Sequence, residues 1–313
     1  MFNHVSKHFS CESHWLENRQ RYLFRNAGQL YAYQEEQLAI LCRYWGRRPG
    51  HVFRSIPPLV GHHAEQELRS SGTLRGTSQL YYYPRQQYRQ IEHHHFWRLE
   101  EAHGLTTPGN LVVFNLDPDI AKPRVQGPVN FPAIGRENQA YVLSYPSSAV
   151  AWAKLLDRVV REIQPKLFVL SPSEIEILSL SLPSGYRIPA VAVSTRETLF
   201  PDVRLWGERL FTKVVNKMRC WDGGLSFYEC GTGRLHLYDE LCLAETLNGV
   251  LASTDFFNYC HPFIRYANDD CGNLAEGLCA CGVYGRYFTE FHGRSIECLV
   301  VGGKVLSGHA VSM

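Results

Sequence analysis

Apolar residues recur with a helical period in several stretches of the chain, which we therefore expect to form amphipathic helices. Leu38, Leu41, Cys42 and Trp45 are spaced in this way, and the run Arg47-Arg48-Pro49-Gly50 ends that stretch. The helix predicted over 85–102 carries three adjacent histidines, His93 to His95, which we expect to lie at the surface or partly buried. The pattern predicts helices within residues 12–48, 85–102, 148–163 and 202–213, and one that follows the cap Ser171-Pro172-Ser173.

Short apolar runs between these helices, bounded by proline, glycine or polar residues, predict buried strands. They occupy residues 79–83, 111–114, 167–170, 188–193 and 214–220. Residues 117–139 are rich in proline and glycine, so we expect loops there. The alternation of strands with helices is typical of an α/β domain with a mostly parallel sheet covered by helices.

The pattern changes after residue 225 to short strands without intervening helices. We predict these strands at residues 235–238, 241–246, 249–253, 264–266 and 296–301. The predicted fold class is therefore α/β, with mostly parallel, helix-covered sheets followed by a β-rich C-terminal segment over about 225–293.

The composition restricts the class of protein. The chain has 313 residues, of which 45% are apolar, and its net charge is +2 with histidine neutral. This balance gives no reason to expect nucleic acid or an anionic membrane as a partner. Because no apolar run reaches the length of a membrane span and no secretory signal is visible, we expect a cytoplasmic protein.

The ten cysteines are unevenly distributed, and eight of them follow residue 219. In a reducing cytosol such crowding favours metal binding over disulfides, although cysteines also serve as small buried residues. Cys230 and His236, together with Cys279 and Cys281, form the set of three thiolates and one imidazole that closes a structural zinc site. The rival ligands are Cys260, His261 and Cys271.

A polar stretch from Leu68 to Ser78, just before the strand at 79–83, is rich in serine, threonine and glycine. Such a turn can wrap backbone N–H groups and hydroxyls around a phosphate, and Arg75 would add positive charge. The stretch lacks the Gly-Lys-Ser/Thr ending of a P-loop. An ordinary polar loop is the alternative.

Two acidic residues follow predicted strands, Glu197 after 188–193 and Asp222 after 214–220. Ligands of α/β folds collect beyond the carboxyl ends of strands, so both acids are candidate site residues. The alternative for Glu197 is an acid at the N-terminus of the helix predicted over 202–213. The alternative for Asp222, which precedes Gly223-Gly224, is an ordinary turn residue.

The order of these motifs resembles the phenylacetate–CoA ligase-like branch of the adenylate-forming enzyme superfamily, over about residues 55–305. The resemblance implies a large N-terminal domain over 1–293, and a hinge with a remnant of the small C-terminal domain over 294–313. The matching segments are Ser70 to Gly76, Ser194 to Glu197, Arg219 to Gly223, Thr254-Asp255, Pro262 to Tyr266, Asp269-Asp270, Cys279 to Gly282 and Gly293-Arg294.

The resemblance implies that a carboxylate attacks the α-phosphate of ATP, which gives an acyl-AMP and pyrophosphate. Asp270 would accept hydrogen bonds from the ribose hydroxyls, and Arg294 would hold the ribose or the α-phosphate. Asp222 would orient Mg²⁺, which prefers oxygen ligands. Glu197 would precede the adenine site.

The resemblance also implies a wider binding site. The substrate is expected to be an aromatic or other small carboxylic acid, and the aromatic-rich stretch from Tyr81 to Trp97 would supply an apolar pocket with Tyr81, Phe96 and Trp97. The alternative is that these rings belong to the core. The remaining nucleotide-binding residues would be Ser70, Ser71, Gly72, Thr73, Arg75, Gly76, Trp221, Gly223 and Arg265.

The sequence departs from the family in two ways. The segment Thr73-Leu74-Arg75-Gly76 has its glycine late, and Asp222 is one methylene shorter than the usual glutamate. The family's small C-terminal domain, with its adenylation lysine, would begin after Arg294, so we expect it to be missing or supplied by a separate protein. This leaves coenzyme A, an amine or a carrier protein open as the acceptor. The alternative function is a nucleotide-binding protein with degraded catalysis.

Overall fold

A computed structural model describes residues 22–45, 66–69, 80–83, 85–105, 110–115, 125–129, 139–144, 149–220, 222–247, 250–258, 261, 263–294, 298–301 and 304–307. Its helices are α1 (Ala27–Trp45), α2 (Arg85–His103), α3 (Ala149–Glu162), α4 (Pro172–Ser181) and α5 (Pro201–Leu210). No helix in this described part of the chain is long and apolar enough to cross a membrane.

The strands fall into an earlier and a later group. The earlier strands are β1 (Gln66–Arg69), β2 (Leu80–Tyr83), β3 (Asn110–Asn115), β4 (Val125–Val129), β5 (Ala140–Ser144), β6 (Pro165–Leu170), β7 (Ile188–Ser194) and β8 (Phe211–Arg219). The later strands are β9 (Ser226–Glu229), β10 (Leu235–Leu237), β11 (Cys242–Leu247), β12 (Val250–Asp255), β13 (Tyr266–Leu278), β14 (Tyr284–Arg294), β15 (Cys298–Val301) and β16 (Lys304–Ser307).

The chain divides into two compact units. One unit is discontinuous and consists of residues 1–98 and 219–313, and the other consists of residues 99–218. The predicted boundary between residues 293 and 294 does not coincide with this division, and it stays a prediction.

The unit of residues 99–218 contains the α/β sheet that the strand–helix alternation predicts. Its strands lie in the order β8-β7-β6-β3-β5-β4, and every neighbouring pair is parallel except β4 with β5. Apolar side chains of the strands and of α3, α4 and α5 form one buried core that includes Leu156, Phe168, Leu178 and Phe211. The mostly parallel sheet is therefore confirmed.

Helix α4 begins where the sequence predicts it. The Ser171 hydroxyl accepts a hydrogen bond from the backbone N–H of Glu174, and the Glu174 carboxylate accepts one from the backbone N–H of Ser171. Pro172 occupies the first turn, where its missing N–H costs nothing. Such a capping box contributes about 1 kcal/mol and fixes the helix start beyond the end of β6.

The discontinuous unit contains an antiparallel sheet in the order β11-β12-β13-β14-β10-β9. The predicted β-rich segment is confirmed, but its two longest strands differ from the prediction. Of the predicted strand at 264–266 only Tyr266 belongs to β13, which runs from there to Leu278, and β14 occupies a stretch for which the pattern predicts no strand. These two strands carry Asp270 and Arg294.

Other predicted elements also differ from the structure. Strand β4 lies within residues 117–139, which we expected to be loop, and β5 was not predicted. The helix predicted over 202–213 ends at Leu210, because Phe211 already begins β8. Glycine and proline in β4 obscure its pattern, and it forms by antiparallel pairing with β5 at the edge of the sheet.

Candidate functional site

Asp270 and Arg294 lie directly opposite each other on the neighbouring strands β13 and β14. Opposed residues of an antiparallel pair project to the same face of the sheet, with Cβ atoms about 5 Å apart. The carboxylate of Asp270 is buried, with 1% of the residue exposed. The two charged groups that the sequence assigns to one nucleotide are therefore cross-strand neighbours.

Asp270 lies in a three-residue bulge of β13. Strand β12 pairs Val250 with Cys271 and Ala252 with Ala267, so one residue of β12 lies opposite three residues of β13, 268–270. Asp269, within the bulge, has the left-handed backbone conformation with φ 62°. Bulges redirect side chains and occur frequently beside functional sites.

The turn that follows β8 packs against β12 and is hydrogen-bonded to it. The Cys220 N–H donates to the carbonyl of Leu225 at 2.7 Å, and the Ser253 hydroxyl donates to the carbonyl of Gly223 at 2.8 Å. Gly223 has φ 88°, and a Cβ atom there would come within 2.7 Å of the Ser253 oxygen. The turn therefore requires glycine, and this local structure holds Asp222 between Cys220 and Gly223.

Asp222, Asp270, Arg294 and Cys220 interact electrostatically as one cluster. Burial raises the pKa of Asp222 to about 6, the Asp270 carboxylate adds to the rise, and Arg294 opposes it. The Cys220 thiol donates a hydrogen bond to Oδ2 of Asp270 at 3.0 Å. Two carboxylates beside one guanidinium can bind a divalent cation together with hydroxyl groups.

Arg265 has a protein partner away from this cluster. Its guanidinium pairs with the Glu245 carboxylate at 2.8 and 3.2 Å, and its backbone N–H donates to the Thr254 hydroxyl at 2.9 Å. Asp255 accepts hydrogen bonds from the backbone N–H groups of Phe257 and Asn258. The Thr-Asp and Pro-Phe-Ile-Arg-Tyr motifs thus hold neighbouring backbone in place, and the nucleotide-binding role of Arg265 stays a prediction.

Glu197 contacts the N-terminus of α4. Its carboxylate accepts hydrogen bonds from the Ser173 backbone N–H at 3.0 Å and from the Ser173 hydroxyl at 2.8 Å. The alternative interpretation assigns Glu197 to the N-terminus of the helix predicted over 202–213, whereas the contact is with the N-terminus of α4, where the helix dipole also favours negative charge.

Several predicted site residues lie outside the described part of the chain. These are Ser70, Ser71, Gly72, Thr73, Arg75, Gly76 and Trp221, as well as the side chain of Tyr81. Phe96 and Trp97 of α2 are described, and both are buried, with 5% and 3% exposed. Their burial is typical of core residues, and a role in an acyl pocket stays a prediction.

The sequence does not predict the buried charges around α2. The expectation that the histidine triplet lies at the surface or is partly buried is wrong for His94 and His95, which are 3% and 0% exposed. Glu240 accepts hydrogen bonds from Nε of Arg98 at 2.7 Å and contacts His94, and all three residues are at most 3% exposed. Burial on its own raises the pKa of Glu240, but Arg98 and His94 outweigh it and lower that pKa to about 2. Asp239 is also buried and pairs with Arg286 at 3.0 Å, but there burial outweighs the guanidinium and raises the pKa of Asp239 to about 6. A charged pair of residues after a short strand is typical of a solvated turn, so no local signal reveals this burial.

Cys230, His236, Cys279 and Cys281 converge as the sequence predicts. Their ligand atoms all lie within 4.8 Å of one another. The sulfurs of Cys230 and Cys279 are 4.0 Å apart, and the Cys281 sulfur is 3.6 Å from Nε2 of His236. Four ligands about 2.3 Å from a tetrahedral zinc ion are separated by about 3.8 Å, so these residues fit the ion.

Two similar turns supply the ligands. In the turn between β9 and β10, the Cys230 N–H donates to the carbonyl of Arg234, and the Gly233 N–H donates back to the carbonyl of Cys230, both at 2.9 Å. In the turn between β13 and β14, Cys279, Gly282 and Val283 repeat this pattern at the same distances. Both glycines have positive φ, 80° and 85°, which lets each chain bend back around a common centre.

The electrostatics of this cluster favour anionic sulfur. Hydrogen bonds from the Cys281 thiol, His236 and Thr232 lower the pKa of Cys230, and the same contact raises the pKa of Cys281, which keeps its proton while no metal is bound. Although burial opposes it, hydrogen bonds to Cys230 and Cys279 raise the pKa of His236. Thiolates gathered around one centre attract a cation, which a metal ion can supply in place of protons.

Neither of the two rival ligands in the described part of the chain, His261 and Cys271, joins this cluster. His261 is buried and stacks on Phe263 with ring centroids 4.4 Å apart, and Cys271 lies in β13 beside the bulge. Cys260 lies outside the described residues. Residues 24 and 25, just before α1, contact the turn that carries Cys279 and Cys281, because Arg25 donates to the carbonyl of Gly282 at 2.6 Å and the Tyr284 N–H donates to the carbonyl of Phe24.

Comparisons with known proteins identify the fold. No protein-family model and no curated protein matches the sequence. Among solved structures, the chain is similar to 2-hydroxyisobutyryl-CoA ligase in an open conformation with 2-HIB-AMP and CoA, with TM-score 0.61 and 15% identity over 92% of this chain and 80% of the ligase.

The same ligase in its postadenylation state with R3-HIB-AMP gives TM-score 0.68 and 13% identity, over 92% of this chain and 72% of the ligase. At such low identity the similarity establishes the fold alone. The chain therefore has the mixed α/β fold of the N-terminal domain of adenylate-forming enzymes.

Proposed function

We propose that the chain activates a small carboxylic acid with ATP, forming an acyl-AMP and releasing pyrophosphate. The observation that carries this proposal is the cross-strand pair Asp270 and Arg294 on a fold shared with an acyl-AMP-forming ligase. In the reaction a carboxylate oxygen bonds to the α-phosphorus, and the bond from that phosphorus to the bridging oxygen of the leaving pyrophosphate breaks. Catalysis would come from positioning and charge neutralisation.

The cluster around the β13 bulge supplies residues for each part of the nucleotide. Asp270 accepts hydrogen bonds from the ribose hydroxyls, and Arg294 neutralises charge at the ribose or α-phosphate. Asp222 provides an oxygen ligand for Mg²⁺, which stabilises the departing pyrophosphate. We assign the backbone of Gly223 and the aromatic ring of Trp221 to the surroundings of the nucleotide.

We extend the proposal to the phosphate loop and the pocket. Ser70, Ser71, Gly72, Thr73, Arg75 and Gly76 would hold the pyrophosphate portion of ATP. Glu197 would border the adenine site, Arg265 the nucleotide, and Tyr81, Phe96 and Trp97 the pocket of an aromatic acid. This arrangement follows the phenylacetate–CoA ligase-like branch, whose Cys-x-Cys-Gly segment the chain also contains.

We also propose that Cys230, His236, Cys279 and Cys281 bind a structural Zn²⁺. The support is the convergence of four ligand atoms from two similar turns at spacings suited to tetrahedral coordination. The ion would tie the β9–β10 turn to the β13–β14 turn, and the latter strand pair carries Asp270 and Arg294 at its other end.

The acceptor of the acyl group is coenzyme A, an amine or a carrier protein. The structurally similar ligase binds both its acyl-AMP and CoA, which favours coenzyme A. The second candidate function is nucleotide binding without turnover, which the unusual segment Thr73-Leu74-Arg75-Gly76 favours. A separate protein that supplies an adenylation lysine would restore turnover in that case.

ATP–pyrophosphate exchange with a panel of aryl and short aliphatic acids tests the proposal. We expect one or more acids to support exchange that requires Mg²⁺ and that Asp270→Ala abolishes. Binding of ATP without exchange, with or without added cell extract as a source of a partner, would instead support the second candidate. Absence of both binding and exchange would contradict both functions.

A further inference from the structure

Cys220 lies beside the candidate nucleotide site, and contacts of the preceding residue and of its own backbone fix its position. It directly follows β8, where Arg219 forms an ion pair with Glu92 of α2 at 3.0 Å. On the other side, its backbone N–H closes the turn to Leu225. The residue is buried, with 8% exposed, so its side chain has little freedom to move.

The Cys220 thiol contacts the carboxylate that the proposed function assigns to the ribose. Its sulfur lies 3.0 Å from Oδ2 of Asp270, and Asp270 itself is 1% exposed. Burial, and then the nearby Asp270 and Asp222, raise the pKa of the thiol well above its usual range. The thiol therefore keeps its proton and acts as a hydrogen-bond donor to the carboxylate.

This hydrogen bond has a geometric consequence for Asp270. The residue lies in a three-residue bulge, where the sheet ladder constrains the backbone less than it does in a regular strand. A carboxylate has about four lone-pair sites, so one bond from the thiol orients the group while leaving it able to accept others. Asp222 is also close, and its negative charge would repel a misoriented Asp270 carboxylate.

We propose that Cys220 is a positioning residue for nucleotide binding, because its thiol orients the Asp270 carboxylate toward the ribose hydroxyls. This inference rests on the proposed function and deepens it. It predicts that the loss of a single weak donor reduces affinity only for nucleotides whose ribose carries hydroxyl groups.

The test compares ATP with 2′,3′-dideoxy-ATP, both with Mg²⁺, by isothermal titration calorimetry on the full chain. Cys220→Ala and Cys220→Val remove the donor, and the valine variant also fills the volume of the thiol. Cys220→Ser keeps a donor. Cys242→Ala is the matched control, because Cys242 is equally buried in the same unit and lies outside the cluster.

We expect Cys220→Ala and Cys220→Val to bind ATP about fivefold more weakly than the wild type, because the thiol is a weak donor and its loss affects the ribose only through the orientation of Asp270. Their affinity for dideoxy-ATP should be unchanged, and Cys220→Ser and Cys242→Ala should match the wild type with both nucleotides. Equal losses for ATP and dideoxy-ATP, or no loss for ATP, would overturn the inference while leaving the proposed function intact.

Two further outcomes would contradict the claims on which the role of Cys220 depends. A wild-type chain that binds ATP and dideoxy-ATP equally would overturn the assignment of Asp270 to the ribose, and the inference with it. A wild-type chain that binds neither nucleotide would overturn the proposed function as well. Thermal melting of each variant checks that a loss of affinity does not come from unfolding.

Discussion

Asp270 and Arg294 face each other across β13 and β14, one in a bulge and the other at the end of its strand. The two residues are 24 positions apart in the chain, and the hairpin that joins them ends in the turn that carries Cys279 and Cys281. Antiparallel register thus brings together a buried carboxylate and a guanidinium that no local sequence pattern connects. This relationship is the structural basis of the proposed ATP site.

Replacement of Asp270 tests the ribose assignment. We expect Asp270→Asn to weaken binding of ATP with Mg²⁺ by about 1–3 kcal/mol, because charged hydrogen bonds to the ribose are lost. Isothermal titration calorimetry measures the change. Glu290→Gln is the control, since Glu290 is an exposed carboxylate on β14. Wild-type affinity in the Asp270 variant would show that the ribose binds elsewhere.

The pKa of Asp222 predicts the pH dependence of the reaction. Because burial raises that pKa to about 6, the carboxyl is neutral at lower pH and a poor Mg²⁺ ligand. We expect the rate of ATP–pyrophosphate exchange, at subsaturating Mg²⁺, to rise between pH 5 and pH 7. Asp222→Asn should give low exchange without this rise. If the variant kept the pH profile of the wild type, Asp222 would be excluded as the origin of the rise in exchange rate.

The same shift predicts an effect on stability. A carboxyl whose pKa rises from 3.8 to about 6 on folding stabilises the protein below pH 3.8 and loses this contribution as the pH rises through 6. Asp222→Asn should therefore raise the free energy of unfolding at pH 8, without Mg²⁺, by about 1–3 kcal/mol. Urea denaturation of the variant and the wild type at pH 8 measures this difference in the free energy of unfolding. A variant less stable than the wild type at that pH would contradict the expectation.

The four-residue cluster predicts one zinc ion per chain. We expect metal analysis of freshly reduced protein to find one equivalent, and Cys281→Ser or His236→Ala to lower that content and the melting temperature. Cys242→Ser, a buried cysteine outside the cluster, should retain the metal. Full zinc content in the Cys281 and His236 variants, or none in the wild type, would remove the assignment.

The buried pair Arg98 and Glu240 predicts a large effect from a single substitution. Arg98→Met leaves the Glu240 charge buried beside His94 alone, and we expect a loss of about 3–5 kcal/mol in unfolding free energy. The double variant with Glu240→Leu should recover most of that loss. Arg161→Met is the control, because its pair with Asp157 is exposed and contributes under about 1 kcal/mol. Equal losses in the two single variants would contradict the difference in burial.

The sequence predicts much of the α/β unit because its elements carry strong local signals. The helix α4 has a complete cap, and β6 and β7 are continuous apolar runs between polar boundaries. The convergence of Cys230, His236, Cys279 and Cys281 is also predictable, since ligand type and glycine spacing are visible in the chain.

The long strands β13 and β14 are not predictable in this way. Segment 268–273 reads Asn-Asp-Asp-Cys-Gly-Asn, and these residues are mostly poor strand formers. The segment nevertheless forms part of β13 because β12 and β14 supply partners on both sides. Pairing with the strands on both sides overrides local propensity here. For the same reason, the burial of Glu240 against Arg98 is invisible before folding.

The most direct measurement of the central claim is a crystal structure of the chain with ATP and Mg²⁺. The account predicts that both ribose hydroxyls lie within hydrogen-bonding distance of the Asp270 carboxylate, with the Arg294 guanidinium in contact with the ribose or the α-phosphate. A nucleotide bound elsewhere, with Asp270 and Arg294 in contact only with protein, would contradict it.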